Sequence, residues 1–283
     1  MKRNPLIIIT VNALSPLDLP VYGNEKISTP GLDQLGWTGT VFHEYHTSPA
    51  GFAKTFDQLQ PFCNANDISI ACHSIQPKDI PSELAPAECD VTWYRIASDL
   101  DEKAMEIVLA IEELICLITH KREANSFHWI ITTESGGFLD NEQCSSASFA
   151  ADYQHSLTRQ FWAPLIVSSA GENAEHCRNQ SLMSAEDLLP VICNLLELNA
   201  GLVIQNRQEI LLHSDKQLGL RTAEWLLCIP QSEKNRLEEN SLHFQEPELF
   251  AKPEDRFDLN DISQSEPELT SQLMQKLHEM IKE

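Results

Sequence analysis

The sequence predicts a doubly wound, mostly parallel α/β sheet flanked by helices, with a small C-terminal antiparallel subdomain and a terminal helix. Three observations predict it. An unbroken apolar, β-branched run at residues 6–11 follows Pro5, as in a strand buried on both faces. A stripe of Leu100, Ala104, Ile107, Ile111, Leu114 and Ile118 recurs at three- and four-residue spacing, as on one face of a long helix. Further apolar runs and helical patterns then alternate, and this regime changes near residue 216.

Taken in order, the first strand leads into a polar loop containing Gly23, Pro30 and Gly31, a short helical pattern over residues 32–35, and an extended stretch over 38–45. From residue 57 to 91, Pro61, Pro77, Pro81 and Pro86 interrupt the pattern, so mostly loop is expected, with residues 68–72 as a strand. Ser98 with Asp101 reads as a variant capping box for the long helix. Buried strands are expected at 127–133, ended by Gly136 and Gly137, and at 163–168. Ser184 and Asp187 form a second capping pair, ahead of a stripe of Leu188, Leu189, Ile192, Leu195 and Leu196 that Pro190 should kink. Residues 220–229 and 241–250 read as strands, and Ser265, Glu266, Pro267 and Glu268 open a last helix with Leu269, Leu273, Leu277 and Ile281 on one face. The expected division is residues 1–215 and 216–283.

The 283 residues suffice for a large core, and 42% hydrophobic with 22% charged residues is a globular composition. Acidic residues outnumber basic ones 42 to 20, and the resulting charge of −22 opposes nucleic acid and anionic lipid surfaces. The eight cysteines contain no CxxC pair, so most are expected to be buried, reduced thiols. The apolar run at residues 6–11 is too short for a secretory leader or a membrane span, and a cytoplasmic location is expected.

Several strings, in this order, resemble the sulfatase family of the alkaline-phosphatase superfamily along nearly the whole chain. They are Asn4-Pro5-Leu6-Ile7-Ile8-Ile9; Tyr22-Gly23-Asn24 followed by Thr29-Pro30-Gly31-Leu32-Asp33-Gln34-Leu35; and Thr47-Ser48-Pro49. Trp129-Ile130-Ile131-Thr132-Thr133-Glu134-Ser135-Gly136, Ala163-Pro164-Leu165-Ile166-Val167 and Asp187-Leu188-Leu189-Pro190 follow, then Leu220-Arg221-Thr222 and Glu248-Leu249-Phe250. The resemblance implies a sulfatase fold, shortened because only about 45 proline-broken residues separate the nucleophile loop from the long helix.

It also implies a metal held by carboxylates, an oxidised Cys or Ser nucleophile and a cationic clamp on sulfate. Where the resemblance places paired aspartates, the chain has Val11 and Asn12. At the nucleophile position stands Gly51, with Thr55 at the motif's arginine and Lys54 beside it. Glu134-Ser135-Gly136 replaces the later metal motif, and Thr158 and Trp162 stand at acidic and arginine positions. Loss of a nucleophile alone costs on the order of a million-fold in turnover, about 8 kcal/mol of barrier. The expectation is a sulfatase-like pseudoenzyme with no cofactor, serving as a binding or regulatory module for a protein partner or a sulfated or phosphorylated ligand.

The alternative is a divalent-metal-dependent sulfuric or phosphoric ester hydrolase. It would hold calcium or magnesium at the degenerate positions Asn12 and Glu134, and use Thr47, Ser48 or Lys54 in a rebuilt site. Other chemistries are weaker. His43 and His46 fall on opposite faces of a strand, against a shared zinc. Thr133-Glu134-Ser135-Gly136-Gly137 mimics a nucleophile elbow without its first glycine, and His128 or His155 would have to act as base. Cys144 reads as a loop thiol.

Overall fold

The computed structural model describes residues 4–81, 89–97, 103–120, 124–137, 156–171, 176–198, 201–231 and 247–282. The chain divides into two compact units, residues 1–143 with 162–205, and residues 144–161 with 206–283.

The first unit is built on a sheet of seven described strands. In chain order its elements are β1 (Leu6–Ala13), α1 (Pro30–Thr38), β2 (Thr40–Phe42), β3 (Tyr45–His46), α2 (Pro49–Ala65), β4 (Ile70–Ile75), β5 (Val91–Ile96) and α3 (Ala104–Thr119). Then come β6 (His128–Ser135), β7 (Leu165–Ser168), β8 (Cys177–Asn179), β9 (Met183–Ser184) and a helix at Leu188–Leu195, numbered α5 below. The sheet order is β4-β5-β1-β6-β7-β2-β8. All of β4, β5, β1 and β6 run parallel, and β7 runs against both its neighbours. Strand β1 lies near the middle and is buried over residues 6–11, which is why its sequence is apolar without alternation. Ile7, Ile9 and Val11 enter the core shared with α1 and α3, while Leu6 and Ile8 enter the one shared with α2 and α5. Burying each such side chain contributes about 1.5–3 kcal/mol.

Helix α3 presents Ile107, Ile111, Leu114 and Ile118 to the core, as their spacing requires. Leu100, Ser98 and Asp101 lie outside the described residues, and the helix starts after Lys103. Glu112, 9% exposed, caps a different helix: its carboxylate accepts the Gly31 and Leu32 N–H groups of α1 at 2.8 and 2.9 Å. Thr29, the N-cap residue of α1, makes no such bond itself. The Ser184–Asp187 capping box forms, closing a 3-10 turn that runs into α5. Pro190 sits in the first turn of α5, where an N–H would have no intrahelical partner, so it removes no helical bond.

The loop expected over residues 57–91 is corrected. Residues 49–65 form one helix because Ser48 caps it, Pro49 suits its first turn, and Phe52, Phe56, Leu59 and Cys63 share its buried side. Pro61 is tolerated because it lies on the exposed side, where water can solvate the carbonyl one turn before it. Residues 91–96 form an interior strand, and the strand expected at 68–72 lies at Ile70–Ile75. The cysteines are corrected too: Cys63, Cys193 and Cys228 are buried, but Cys72, Cys116 and Cys177 are exposed. Cys144 lies outside the described residues.

The second unit contains α4 (Leu157–Phe161), then β10 (Glu209–His213), β11 (Gln217–Thr222), β12 (Trp225–Pro230), β13 (Glu248–Ala251) and α6 (Pro267–Lys282). Its strands form an antiparallel sheet in that order. The single strand expected at 220–229 is two strands, because Ala223 and Glu224 turn the chain and Arg221 pairs with Leu226. Residues 241–246 of the next expected strand lie outside the described residues. Leu218, Leu220, Leu227, Ile229 and Leu249 meet Leu273, Met274 and Leu277 of α6. On the other face Gly219 admits Leu157: a Cβ there would lie 2.3 Å from its Cδ1. Buried Lys252 and Asp258 form an ion pair, and Asp258 also accepts the Thr158 hydroxyl at 2.8 Å. No described helix is long and apolar enough to cross a membrane.

Candidate functional site

In a parallel sheet, chemistry gathers at the carboxyl ends of the strands. Here Arg95, Asn12 and Glu134 are the next-to-last residues of β5, β1 and β6. Val11 pairs with Thr133 and Ala13 with Ser135, which sets Asn12 alongside Glu134; Thr10 pairs with Arg95. By strand alternation, Asn12, Arg95 and Glu134 all belong to the sheet face that carries Ile8, Val91 and Ile130, the face covered by α2.

The structure thus brings together the two residues expected to be degenerate metal positions. It adds a third, Arg95, that the sequence reading missed. Arg95 Nε donates to Glu134 Oε1 at 2.5 Å, and Nη2 donates to Oε2 at 2.8 Å. This planar two-bond fork is the strong form of an arginine–carboxylate contact. The Glu134 side chain is 14% exposed and that of Arg95 49%. The only signal of Arg95 in the sequence was the β-branched and aromatic run Val91-Thr92-Trp93-Tyr94-Arg95-Ile96, a strand hidden between prolines and charges.

The metal that the sequence resemblance implies can be tested against these residues. Calcium and magnesium take six or more oxygen ligands. Among the described residues no group of three His, Cys, Asp or Glu side chains is placed to hold a metal. Both Glu134 oxygens already accept from a cation that a dication would have to displace. The described residues at these strand ends do not fit the metal.

The nucleophile positions lie at the start of α2. Ser48 Oγ accepts the Gly51 N–H at 3.1 Å, so this hydroxyl serves as the helix cap. Thr47 is 3% exposed. Burial of Tyr45 pushes its pKa up, weakly opposed by the nearby Thr47 and Thr132 hydroxyls, so the phenol stays protonated. A Cβ on Gly51 would lie 3.2 Å from the capping Ser48 Oγ, a tight approach that this hydroxyl would have to relieve, and 3.9 Å from Ala185 Cβ. Thr55, at the expected arginine position, donates its hydroxyl to Gly51 O and Ala185 O, each at 3.1 Å, which ties α2 to the turn before α5. Lys54 is exposed on α2.

The remaining positions serve the fold. Thr158 is held by Asp258 within the second unit. Trp162 donates its indole N–H to His43 O at 2.7 Å. His46 Nε2 lies 3.4 Å from Glu44 Oε2, whereas His43 packs edge-on against Tyr22 at 5.4 Å. Ser135 Oγ is shared between the carbonyls of Asn12 and Gly136, at 3.1 and 3.2 Å. Gly137 answers a close approach, since a Cβ there would lie 1.9 Å from Ser15 N. His128 is seven residues upstream on β6, about 23 Å along an extended chain, and cannot reach Ser135 as a base. His155 lies outside the described residues.

Beside the fork, a cleft of about 510 Å³ runs between α2 and the sheet edge. Phe52, Phe56 and Trp93 line its inner side; Phe52 and Phe56 stack at 4.2 Å, and Phe56 meets Trp93 at 4.6 Å. Trp93 is held by its indole N–H, which donates to Thr10 Oγ1 at 2.8 Å. Asp57, Gln60 and Asn64 supply a polar lip from the exposed side of α2, and the Arg95–Glu134 fork closes one end. The cleft stays open because the edge strand β4 is only partly covered.

No family model matches this sequence, and no curated protein sequence matches it. Solved structures do. The protein Ps i-CgsB, solved in complex with a neocarrahexaose, is 12% identical with a TM-score of 0.69 over 99% of this chain and 93% of its own. A protein from a Bacteroides thetaiotaomicron locus for the metabolism of glycosaminoglycans is 11% identical with a TM-score of 0.66 over 100% of both chains. A 2-O GAG sulfatase is 8% identical with a TM-score of 0.62 over 99% of this chain and 92% of its own. The protein has a sulfatase-like fold: a mixed, mostly parallel seven-stranded sheet flanked by helices, a small antiparallel sheet and a terminal helix.

Proposed function

We propose that this sulfatase-like chain is a pseudoenzyme that acts as a binding module. The observation that carries the reading is the Arg95–Glu134 fork, which spends the carboxylate at the candidate metal position on an internal cation. Three further observations support it. Gly51 offers no side chain at the nucleophile position, Ser48 is engaged as a helix cap, and Thr55 is bonded to two carbonyls. A hydrolase needs an activated nucleophile together with charge stabilisation of the transition state, and each of these residues is committed to the fold instead.

The test combines metal analysis of the purified chain with thermal unfolding in calcium, magnesium, manganese or zinc, and with hydrolysis of 4-nitrophenyl sulfate and 4-nitrophenyl phosphate. The expected result is no stoichiometric metal, no rise in midpoint and no turnover. A metal present at one equivalent and lost in Glu134→Ala, with metal-dependent turnover, would overturn the reading in favour of a rebuilt ester hydrolase, because a ligand of the folded state must raise its stability.

A further inference from the structure

We propose that the cleft along α2 binds a small organic cation, an ammonium group carried on a flat apolar body. This rests on the binding-module reading and names its ligand class.

Charge and shape both point that way. Arg95 is the one cation among the described residues lining the cleft, and its charge is matched by Glu134 within the fork. Among the lining residues this leaves Asp57 as the charge not matched within the cleft, exposed on the lip. Around the whole chain the charge is −22, a field that concentrates cations and repels anions. Behind Asp57 the cleft is backed by Phe52 and Phe56, which are buried and stacked on each other, and by half-buried Trp93, the ring accessible to a ligand; a cation within about 6 Å of such a ring is attracted to its face. The volume of about 510 Å³ falls within the range of small-molecule sites. Gln60 and Asn64 add neutral hydrogen-bonding groups that can orient a ligand without changing this balance. An anion reaching for the outer N–H groups of Arg95 would face both Glu134 and Asp57.

Tryptamine and indole-3-propionate share a ring system and differ in the sign of the head group, so titration calorimetry of the full chain with each isolates the charge. Tryptamine is expected to bind saturably and at least about tenfold more tightly than indole-3-propionate. Asp57→Asn should weaken tryptamine about tenfold without moving the thermal midpoint, because Asp57 is exposed; Asp57→Lys should abolish binding. Absence of tryptamine binding, equal or tighter binding of indole-3-propionate, or an unaffected Asp57→Asn variant would overturn the proposal. Turnover of 4-nitrophenyl sulfate would instead overturn the pseudoenzyme reading, and the paired titration separates that failure from this one.

Discussion

Arg95 and Glu134 reach toward each other across the end of β1, the strand that lies between theirs, and close a two-bond ion pair at 2.5 and 2.8 Å. At the strand ends where the sequence resemblance implies a dication, this chain carries its own guanidinium. The pair is partly solvated, so its contribution to stability is small, and its main consequence is to occupy the carboxylate.

Arg95→Ala should therefore change the unfolding free energy by less than about 1 kcal/mol in urea denaturation. It should also fail to create a calcium site, since Glu134 and Asn12 supply too few oxygens. A calcium-dependent rise in midpoint in this variant alone would mean that the arginine plugs a surviving metal site.

Gly51→Ser should fold, with a stability change of less than about 1 kcal/mol. Gly51 is not in the left-handed region and replacing a helical glycine stabilises by about 0.5 kcal/mol, but the new Cβ would approach the capping Ser48 Oγ to 3.2 Å, which offsets that gain. On the pseudoenzyme reading, hydrolysis of 4-nitrophenyl sulfate should remain at background, because one hydroxyl would restore neither a metal nor a clamp. Turnover from this single change would show that the rest of the machinery survives.

Glu112→Ala should be among the more damaging single changes in the first unit. It leaves two N–H groups at the start of α1 without their acceptor, at about 1–3 kcal/mol each. Glu112→Gln keeps an acceptor oxygen but loses the charge that favours a helix N-terminus, and should cost less than half as much. Equilibrium unfolding of both variants checks the order.

His128 predicts a pH dependence. Burial holds its pKa below the ordinary histidine value, opposed by the weaker attraction of Glu197, and its Nδ1 accepts the Ala170 N–H at 3.0 Å, which requires the neutral ring. The unfolded chain takes up the proton first as pH falls below about 6.5, so this contribution is present above that pH and is lost on acidification toward the depressed folded-state value. His128→Asn, which offers an oxygen in place of Nδ1, should flatten the stability profile between about pH 7 and 5. An unchanged slope would exclude His128 as its source.

Much of the fold was legible because burial leaves a periodic trace. The run at residues 6–11 can be a central parallel strand and little else, and the stripe of α3 has a helical period. Helix α2 was misread because Pro61 looks like a breaker in a sequence, whereas on the solvent side of a formed helix it is affordable. The hairpin at Ala223 and Glu224 was missed because it has no glycine or proline to announce it. Asn12, Gly51 and Glu134 could be named from motif order alone, but what each touches could not.

The sequence by itself determined the alternation of strands and helices, the apolar centre of the sheet, and which residue types stand where the resemblance implies a nucleophile and a metal. These are local properties, written in spacing and side-chain chemistry. Only the tertiary structure decided that Arg95 meets Glu134 39 residues away, that Glu112 caps a helix 80 residues before it, and that α2 and a partly covered edge strand leave a cleft between them. Parallel strands that are adjacent in space are distant in sequence, so contacts across their ends exist only once the crossovers have packed.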